Sequence, residues 1–220
     1  MAEIFYHTFD PVYDNHSRVL ILGSFPSVKS REQGFYYGHP QNRFWKVLSA
    51  VFSSPVPQSI DEKKKLLLDN GVALWDVAQS CEINGSSDSS MKNVRPNDIY
   101  TLLYTTGIDR VFANGKTAAR LYERFILPQT NIPITALPST SPANAAFSLD
   151  DLCERWRIIR NLWYAAAQNA SSEQSELNSI NRVIPHLCSQ FRTFQSLIEY
   201  INKAIFVQSA KNRFGKINCF

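Results

Sequence analysis

The chain has 220 residues, of which 44% are hydrophobic and 19% charged, a composition typical of one folded globular domain with some chain to spare. Its formal net charge of +4 attracts polyanions weakly and by itself identifies no partner. No apolar stretch reaches the roughly 18 residues of a membrane helix, and MAEIFYHTFD lacks the features of a signal peptide, so we expect an intracellular protein, cytoplasmic (nucleoid) or nuclear and not secreted.

A strand and a helix are predicted early in the chain. The residues Val19–Leu22 form an apolar run without alternation, which is typical of a strand buried on both faces of a parallel sheet, and Gly23 ends it. Apolar residues recur at helical spacing over Phe44–Phe52, so we expect a helix that begins near Gln41 or Asn42. The loop between them is richer in aromatic and hydrogen-bonding side chains than a simple connection requires.

The rest of the main domain repeats this alternation. Three further strands are predicted at Val72–Trp75, Arg110–Ala113 and Ile132–Leu137, and helices at about Ser59–Asp69, after a cap at Asn97, after Gly115, and from Ser148 or Asp150. The stretch Glu82–Pro96 is polar and is predicted as a loop. Strands that alternate with helices predict an α/β fold of three layers around a parallel sheet.

Polar residues follow each predicted strand, and in such folds ligands bind outside the carboxyl ends of the strands. The groups in question are Ser24 to Pro26, Asp76, Asn114 and Ser139 to Asn144, which we expect to converge on one site. Carboxamides, hydroxyls and aromatic rings with few carboxylates suit the binding of a neutral base and a phosphate. The chain contains no GxGxxG after the first strand, no GxxxxGK[ST] and no GxSxG, which disfavours dinucleotide, nucleoside triphosphate and serine-hydrolase chemistry.

The C-terminal part differs in composition. Ser, Asn, Gln, Glu and Ala dominate from about Gln168 to Ser179, which indicates a linker. Beyond it, apolar residues three and four apart predict an amphipathic helix. We therefore predict a main domain over 1–167 and a linker with a helical extension over 168–220. Docking of that helix onto the main domain would leave a monomer, and self-association through it is the alternative.

The four cysteines are widely spaced, and none belongs to a CxxC pair: Cys81, Cys153, Cys188 and Cys219. This spacing favours neither a zinc site nor a disulfide framework. We expect free thiols, no metal and no cofactor.

Three segments together resemble the uracil-DNA glycosylase superfamily, and within it most closely the hypoxanthine-DNA (deoxyinosine) glycosylase branch. They are LGSFPS at Leu22–Ser27, YYGHPQNRFW at Tyr36–Trp45 and LPSTSPANA at Leu137–Ala145, with LWDV at Leu74–Val77 in support. The likeness runs from about Phe9 to Ala167. It implies a three-layer α/β/α fold with a central four-stranded parallel sheet.

The resemblance also implies an activity and a partner. The expected enzyme is a monofunctional DNA-deoxyinosine glycosylase of base excision repair, which hydrolyses the N-glycosidic bond of a flipped deaminated base in DNA. Hypoxanthine is the expected base, with uracil and xanthine as further candidates. Some members of the superfamily carry an iron–sulfur cluster, but the cysteine spacing here does not favour four-cysteine ligation.

The catalytic residue implied by the resemblance is Asn42. Mismatch-type relatives carry a water-activating Asn in a GINPG turn, where this chain has Phe25, whose side chain cannot orient a nucleophile. Asn42 matches the Asn of the NxFW segment and also stands near a predicted helix start that faces the site. An amide such as this could align water through its oxygen. Helix capping alone is the rival role for Asn42.

Two further sets of residues follow from the resemblance and the rim. The base-binding set is Ser24, Phe25, Pro26, Tyr37, Gly38, His39, Asp76 and Asn114, and the DNA-phosphate-binding set is Ser139, Thr140, Ser141 and Asn144. Structural alternatives stay open at this point. His39 could pack within its loop, Asp76 could hold the loop that begins near Cys81, and Ser139 and Thr140 could close a turn and cap the last helix.

Three rival functions remain. A uracil or mismatch glycosylase is the nearest, and a non-catalytic DNA- or nucleotide-binding module is the rival from another class. A lyase is disfavoured because the main motifs contain no lysine apart from Lys29 and Lys46.

Overall fold

A four-stranded parallel sheet and a smaller antiparallel sheet organise residues 3–83 and 91–161, the parts of the chain that the computed structural model describes. These residues belong to the unit Met1–Ala166. The predicted linker and C-terminal helix, with Cys188 and Cys219, lie outside the described residues. The division of the chain near 167 and the choice between docking and self-association therefore stay predictions. No described helix combines the length and apolar character needed to cross a membrane.

The elements alternate as the sequence predicts, with several additions. In chain order they are β1 (Ile4–Tyr6), β2 (Val19–Gly23), α1 (Val28–Gln33), α2 (Phe44–Phe52), α3 (Ile60–Asp69), β3 (Val72–Asp76), β4 (Ala78–Glu82), β5 (Lys92–Pro96), α4 (Ile99–Thr105), β6 (Arg110–Asn114), α5 (Lys116–Phe125), α6 (Leu127–Thr130), β7 (Ile134–Leu137) and α7, whose described part is 149–161.

The parallel sheet has the strand order β3-β2-β6-β7. All five residues of β2 are buried, as expected for a central strand that is covered on both faces. Its partners align so that Gly23 lies opposite Asp76 at one end of the sheet. Four parallel strands flanked by helices confirm the predicted fold class.

Successive side chains of β2 point to opposite faces, and each face has its own apolar core. On one face Ile21 packs with α2, α3 and α7, whose largest buried side chains include Phe44, Leu67 and Trp156. On the other face Leu20 packs with α4 and α5. The result is the three-layer α/β/α arrangement, which leaves the carboxyl ends of the strands open.

The antiparallel sheet, with strand order β1-β4-β5, was not predicted. Strand β3 passes into β4 through the single residue Val77, whose backbone N–H donates to the carbonyl of Gly23 at 2.9 Å. The predicted loop Glu82–Pro96 is wrong at both ends, because Glu82 is the last residue of β4 and Lys92–Pro96 pairs with β4 as strand β5. Residues 84–90 of that stretch lie outside the described residues.

Local capping explains two further differences. Helix α1, which the sequence did not predict, begins where Ser27 Oγ accepts the N–H of Ser30 and ends at Gly34 in the left-handed region. Helix α4 is capped by Asp98, whose carboxylate accepts the N–H of Thr101, and not by Asn97 as predicted. The amide of Asn97 instead donates to the backbone oxygen of Asp76 at 2.9 Å.

Candidate active site

A cleft of about 890 Å³ opens at the carboxyl ends of the four parallel strands. Its lining includes residues from all four strand ends and from the segment before α2: Gly23, Ser24, Phe25, Pro26, Tyr37, Asn42, Asp76, Asn114, Gly115, Lys116, Pro138, Ser139, Ser141, Asn144 and Phe147, among others. The structure thus brings together the strand-end groups that the sequence predicts to converge.

Asn42 stands just before helix α2, and its side chain has a fixed orientation. Its Oδ1 accepts the backbone N–H of Phe44 at 3.0 Å and the hydroxyl of Thr140 at 3.0 Å. Because a backbone N–H can only donate, the amide oxygen must face Phe44, and both of its lone pairs are used. The amide Nδ2 has no acceptor among the described residues, so it is the atom through which Asn42 can meet a ligand in the cleft.

A chain of hydrogen bonds fixes Asn42 from behind. The amide Nδ2 of Asn114 donates to Thr140 Oγ1 at 2.9 Å, and the backbone N–H of Thr140 donates to Asn114 Oδ1 at 2.9 Å. Thr140 is fully buried. Its side chain therefore cannot grip a DNA phosphate as predicted, because it joins Asn114 to Asn42 beneath the surface. Ser139, Ser141 and Asn144 do lie on the lining.

Arg43, which the sequence reasoning missed, holds the loop that follows β7. Its guanidinium donates to the backbone oxygens of Ser141 and Asn144, each at 2.9 Å, and also to that of Phe147. The backbone N–H of Arg43 donates to the oxygen of Thr140 at 3.1 Å. One planar side chain therefore ties the start of α2 to the segment that carries the predicted phosphate-binding residues.

Asp76 ends β3, lines the cleft and is paired with His7, a second residue that the sequence reasoning missed. His7 Nε2 lies 3.0 Å from Asp76 Oδ2, and the two side chains are 2% and 5% exposed. Gly23 makes room for this carboxylate, since a Cβ at that position would lie 2.0 Å from Asp76 Oδ1. The carboxylate thus sits over the end of the central strand.

Aromatic rings form the wall beside Asp76. Phe25 is buried against the antiparallel sheet, and the guanidinium carbon of Arg31 lies 5.6 Å from its ring centroid and 4.6 Å from that of Phe5. Tyr37 stacks on Phe44 with the ring centroids 3.8 Å apart. The backbone φ of Tyr37 is 51°, in the left-handed region that a tyrosine rarely adopts. This backbone angle and the stacking on Phe44 together set the direction of the ring.

Gly38 and His39 are not among the lining residues of the cleft. The backbone N–H of Gly38 donates to Ser30 Oγ at 3.0 Å, and His39 Nδ1 accepts the N–H of Gln41 at 3.2 Å. These contacts favour loop packing, the alternative that the sequence left open for His39. The base-binding role of both residues stays a prediction without support from the cleft.

Few lining residues in the described part of the chain carry a charge: Asp76 supplies a carboxylate and Lys116 a cation.

Burial raises the pKa of Tyr36 well above its ordinary value, and the negative charge of Asp76 adds to this effect. The phenol therefore stays protonated and donates to the backbone oxygen of Asp10 at 2.9 Å. Within 3–83 and 91–161, no three His, Cys, Asp or Glu side chains gather as a metal site would require. The site accordingly offers hydrogen-bond donors, one acceptor carboxylate and rings.

A sequence model of the uracil DNA glycosylase superfamily matches residues 11–163, which is more than half of the chain. The chain belongs to the uracil DNA glycosylase superfamily. Two proteins named hypoxanthine DNA glycosylase are similar to it. The one from Methanosarcina acetivorans is 35% identical over 155 residues, which cover 70% of this chain and 97% of that protein. The one from Methanosarcina barkeri is 34% identical over 139 residues, covering 62% and 86%.

A solved structure agrees with the fold of this superfamily member. The solution NMR structure of a Methanosarcina acetivorans protein, named a candidate uracil DNA glycosylase, superposes with a TM-score of 0.61 at 32% identity and covers 70% of this chain and 96% of the other. His7 precedes the segment that the superfamily model matches. The signal that could have found His7 is alternation, because Phe5 and His7 fall on one side of a strand while Ile4 and Tyr6 are exposed.

Proposed function

We propose that this superfamily member is a monofunctional DNA glycosylase that releases hypoxanthine from deoxyinosine in DNA, with uracil and xanthine as further candidate substrates. The observation that carries the proposal is the orientation of the Asn42 amide: its oxygen accepts two hydrogen bonds, which leaves its nitrogen as the donor in a cleft that Asp76 also lines. The two similar proteins named hypoxanthine DNA glycosylase support the same substrate.

The reaction needs little acid–base chemistry from the protein. The bond between the sugar carbon C1′ and the base nitrogen breaks, and its electron pair leaves with the base. The sugar gains oxocarbenium character and is captured by water, which forms the new C1′–O bond and passes a proton to solvent, while the base takes up a proton. A lining without a pair of carboxylates among the described residues fits this pathway.

Asn42 would position the water. Since its oxygen already accepts two hydrogen bonds, the predicted alignment through that oxygen is replaced by a bond from Nδ2 to the water oxygen. One lone pair of the water accepts this bond, and the other is directed at C1′. Positioning of this kind is effective because a cationic sugar reacts readily with water, so the water needs to be oriented more than it needs to be activated.

Asp76 would distinguish the candidate bases from adenine and cytosine, although not from guanine and thymine, which carry the same ring N–H. Hypoxanthine, xanthine and uracil each carry a ring N–H beside a carbonyl, and a carboxylate accepts that proton. Adenine and cytosine present a lone pair at the corresponding ring nitrogen, which the carboxylate repels. Phe25 would support the flipped base by stacking, and the mispairing of a deaminated base lowers the cost of extruding it from the duplex.

The loop after β7 would hold the DNA strand beside the flipped nucleotide. Ser139, Ser141 and Asn144 present hydroxyl and amide groups on the lining, and Lys116 adds a positive charge at the start of α5. Contacts of this type fix the position of the strand and do not read its sequence.

Release of free base from a duplex that contains deoxyinosine tests the proposal, with matched duplexes that contain deoxyuridine and deoxyxanthosine to rank the substrates. Free hypoxanthine and an abasic site are the expected products. Binding of the deoxyinosine duplex without base release would favour the non-catalytic module. Borohydride trapping in the same reactions tests for a Schiff base with Lys116, and a trapped adduct would replace the monofunctional assignment with a lyase.

Substitution of Asn42 separates catalysis from helix capping. We expect Asn42→Ala and Asn42→Ser to lose base release at least a hundredfold, while binding of the damaged duplex stays within about tenfold, which corresponds to about 1.4 kcal/mol. Serine can still accept the N–H of Phe44 as a cap, so Asn42→Ser keeps the start of α2. Gln41→Ala, at the exposed neighbour, is the control. Retention of activity in Asn42→Ser would show that capping is the whole role of Asn42.

A further inference from the structure

His7 contacts Asp76, a lining residue of the cleft, from a part of the chain outside the matched superfamily segment. It follows strand β1, and its backbone N–H donates to the oxygen of Gln79 on strand β4 at 2.7 Å. Its ring packs against Phe9 and Tyr36, with centroids 4.4 and 5.9 Å away. Backbone pairing and aromatic packing together fix the direction in which Nε2 points, which is toward the Asp76 carboxylate at 3.0 Å.

The pair fixes the position of the Asp76 carboxylate. A buried carboxylate is costly unless it is hydrogen-bonded. Because a carboxylate only accepts hydrogen bonds, Nε2 of His7 is the donor to Oδ2. The second oxygen, Oδ1, is the one that lies over Gly23 at the end of the central strand. His7 thus occupies one oxygen and leaves the other as an acceptor.

We propose that His7 is a positioning residue that sets the base preference of the pocket: it holds the Asp76 carboxylate in place as an acceptor that favours bases with a ring N–H and rejects bases with a lone pair at that nitrogen. This inference rests on the proposed function. The same hydrogen bond draws negative charge from the carboxylate, which reduces its repulsion of the electron pair that leaves with the base.

Without this donor, the carboxylate is free to turn, so Oδ1 no longer stays opposite the ring nitrogen of the base. Both its attraction to a ring N–H and its repulsion of a lone pair at that nitrogen then weaken. Loss of His7 is therefore expected to change the ratio between two substrates and not only the overall rate, whereas a merely structural role would lower both rates together.

Two duplexes test this directly, one with deoxyinosine and one with deoxynebularine, whose purine base lacks the 6-oxygen and the N1 proton of hypoxanthine. In the full chain, kcat/KM for base release is compared between unmodified protein, His7→Phe, which keeps a ring without a donor, and His7→Gln, which keeps a donor. His16→Phe, at an exposed histidine of the same N-terminal region, is the control.

We expect His7→Phe to lower the deoxyinosine to deoxynebularine ratio about tenfold or more, the equivalent of about 1.4 kcal/mol, and His7→Gln to keep it within about threefold. An unchanged ratio in a folded His7→Phe protein would overturn the inference while the proposed function stands. Failure of the unmodified protein to release hypoxanthine would overturn the proposed function itself.

A measurement on the unmodified protein covers the case in which His7→Phe does not fold. Free hypoxanthine and free purine are titrated into ¹⁵N-histidine-labelled protein, with the His7 ring signals assigned through His7→Gln. We expect the Nε2 signal of His7 to shift with hypoxanthine and to stay in place with purine. Equal shifts with the two bases, or no shift with hypoxanthine, would overturn the role of His7.

Discussion

At the scale of single residues, the position of Asp76 depends on the missing side chain of Gly23. A methyl group there would overlap Asp76 Oδ1, which His7 prevents from swinging aside. We expect Gly23→Ala to displace the carboxylate and to reduce base release about a hundredfold, since a shift of about 1 Å at a reacting site has effects of this size. Base release and circular dichroism on the same protein samples measure activity and fold together.

A second glycine provides the control for that change. A Cβ at Gly107 would meet only the guanidinium of Arg18, which is half-exposed and has room to move. Gly107→Ala should therefore keep both its activity and its circular dichroism spectrum. Full activity in Gly23→Ala would show that the carboxylate does not need its present position.

Residues at the ends of apolar strands were predictable from the sequence, and residues that act through distant partners were not. Asp76 and Asn114 each follow a buried run, which places them at the carboxyl edge of a parallel sheet. His7 is separated from Asp76 by 69 positions, and the strand that it follows has three residues. Arg43 is likewise separated from its carbonyl partners by about a hundred positions. Alternation marks His7 as an inward-facing residue, but no local pattern reports the distant partner of either side chain.

At the scale of elements, the loop between β7 and α7 takes its shape from Arg43 on the other side of the cleft. Lysine carries the same charge but lacks the planar fork that reaches several carbonyls at once. We expect Arg43→Lys to lower the free energy of unfolding by about 2 kcal/mol and to raise KM for damaged DNA about tenfold. Urea unfolding and steady-state base release measure the two effects.

The expected division between KM and kcat is specific to this loop. Asn42 keeps its bonds to Phe44 and Thr140 in Arg43→Lys, so kcat should change less than KM. Lys46→Ala, at an exposed cation on the same helix α2, is the control and should change neither. An unchanged KM in Arg43→Lys would mean that the loop does not hold DNA.

The two sheets differ in how well the sequence predicts them. The parallel sheet is built from runs such as Val19–Leu22, whose burial on both faces is visible in the sequence. The antiparallel sheet is built from short, mixed strands, of which Lys92–Pro96 has no buried residue, so its pairing depends on tertiary contacts and not on local pattern. Helix α1 was missed for a different reason: its six residues show no apolar stripe, and its signals are the local caps at Ser27 and Gly34.

At the scale of the whole molecule, the net charge of +4 favours binding to the negatively charged DNA backbone. Binding that releases counterions weakens with salt in proportion to the number of phosphates contacted. We expect Lys116→Met to make the slope of log Kd against log salt concentration shallower by about 1, as for the loss of one phosphate contact. Fluorescence anisotropy of a labelled duplex over a range of salt concentrations measures this slope.

The control for the salt series is a lysine outside the cleft. Lys65 is exposed and pairs with Asp69 on helix α3 at 2.9 Å, so Lys65→Met removes the same charge from another place. Equal slopes for Lys116→Met and Lys65→Met would assign the effect to overall charge and not to a contact in the cleft.

Strand β1 lies at the edge of the small sheet and is three residues long, so it opens at a lower free-energy cost than the central strand β2. Asn42 is held by other elements, namely α2 and the loop after β7. With the roles proposed for His7 and Asn42, we expect accuracy and turnover to have separate thermal limits. On warming, release of adenine from undamaged DNA should begin before base release stops, so heat tolerance would be set by fidelity and not by rate.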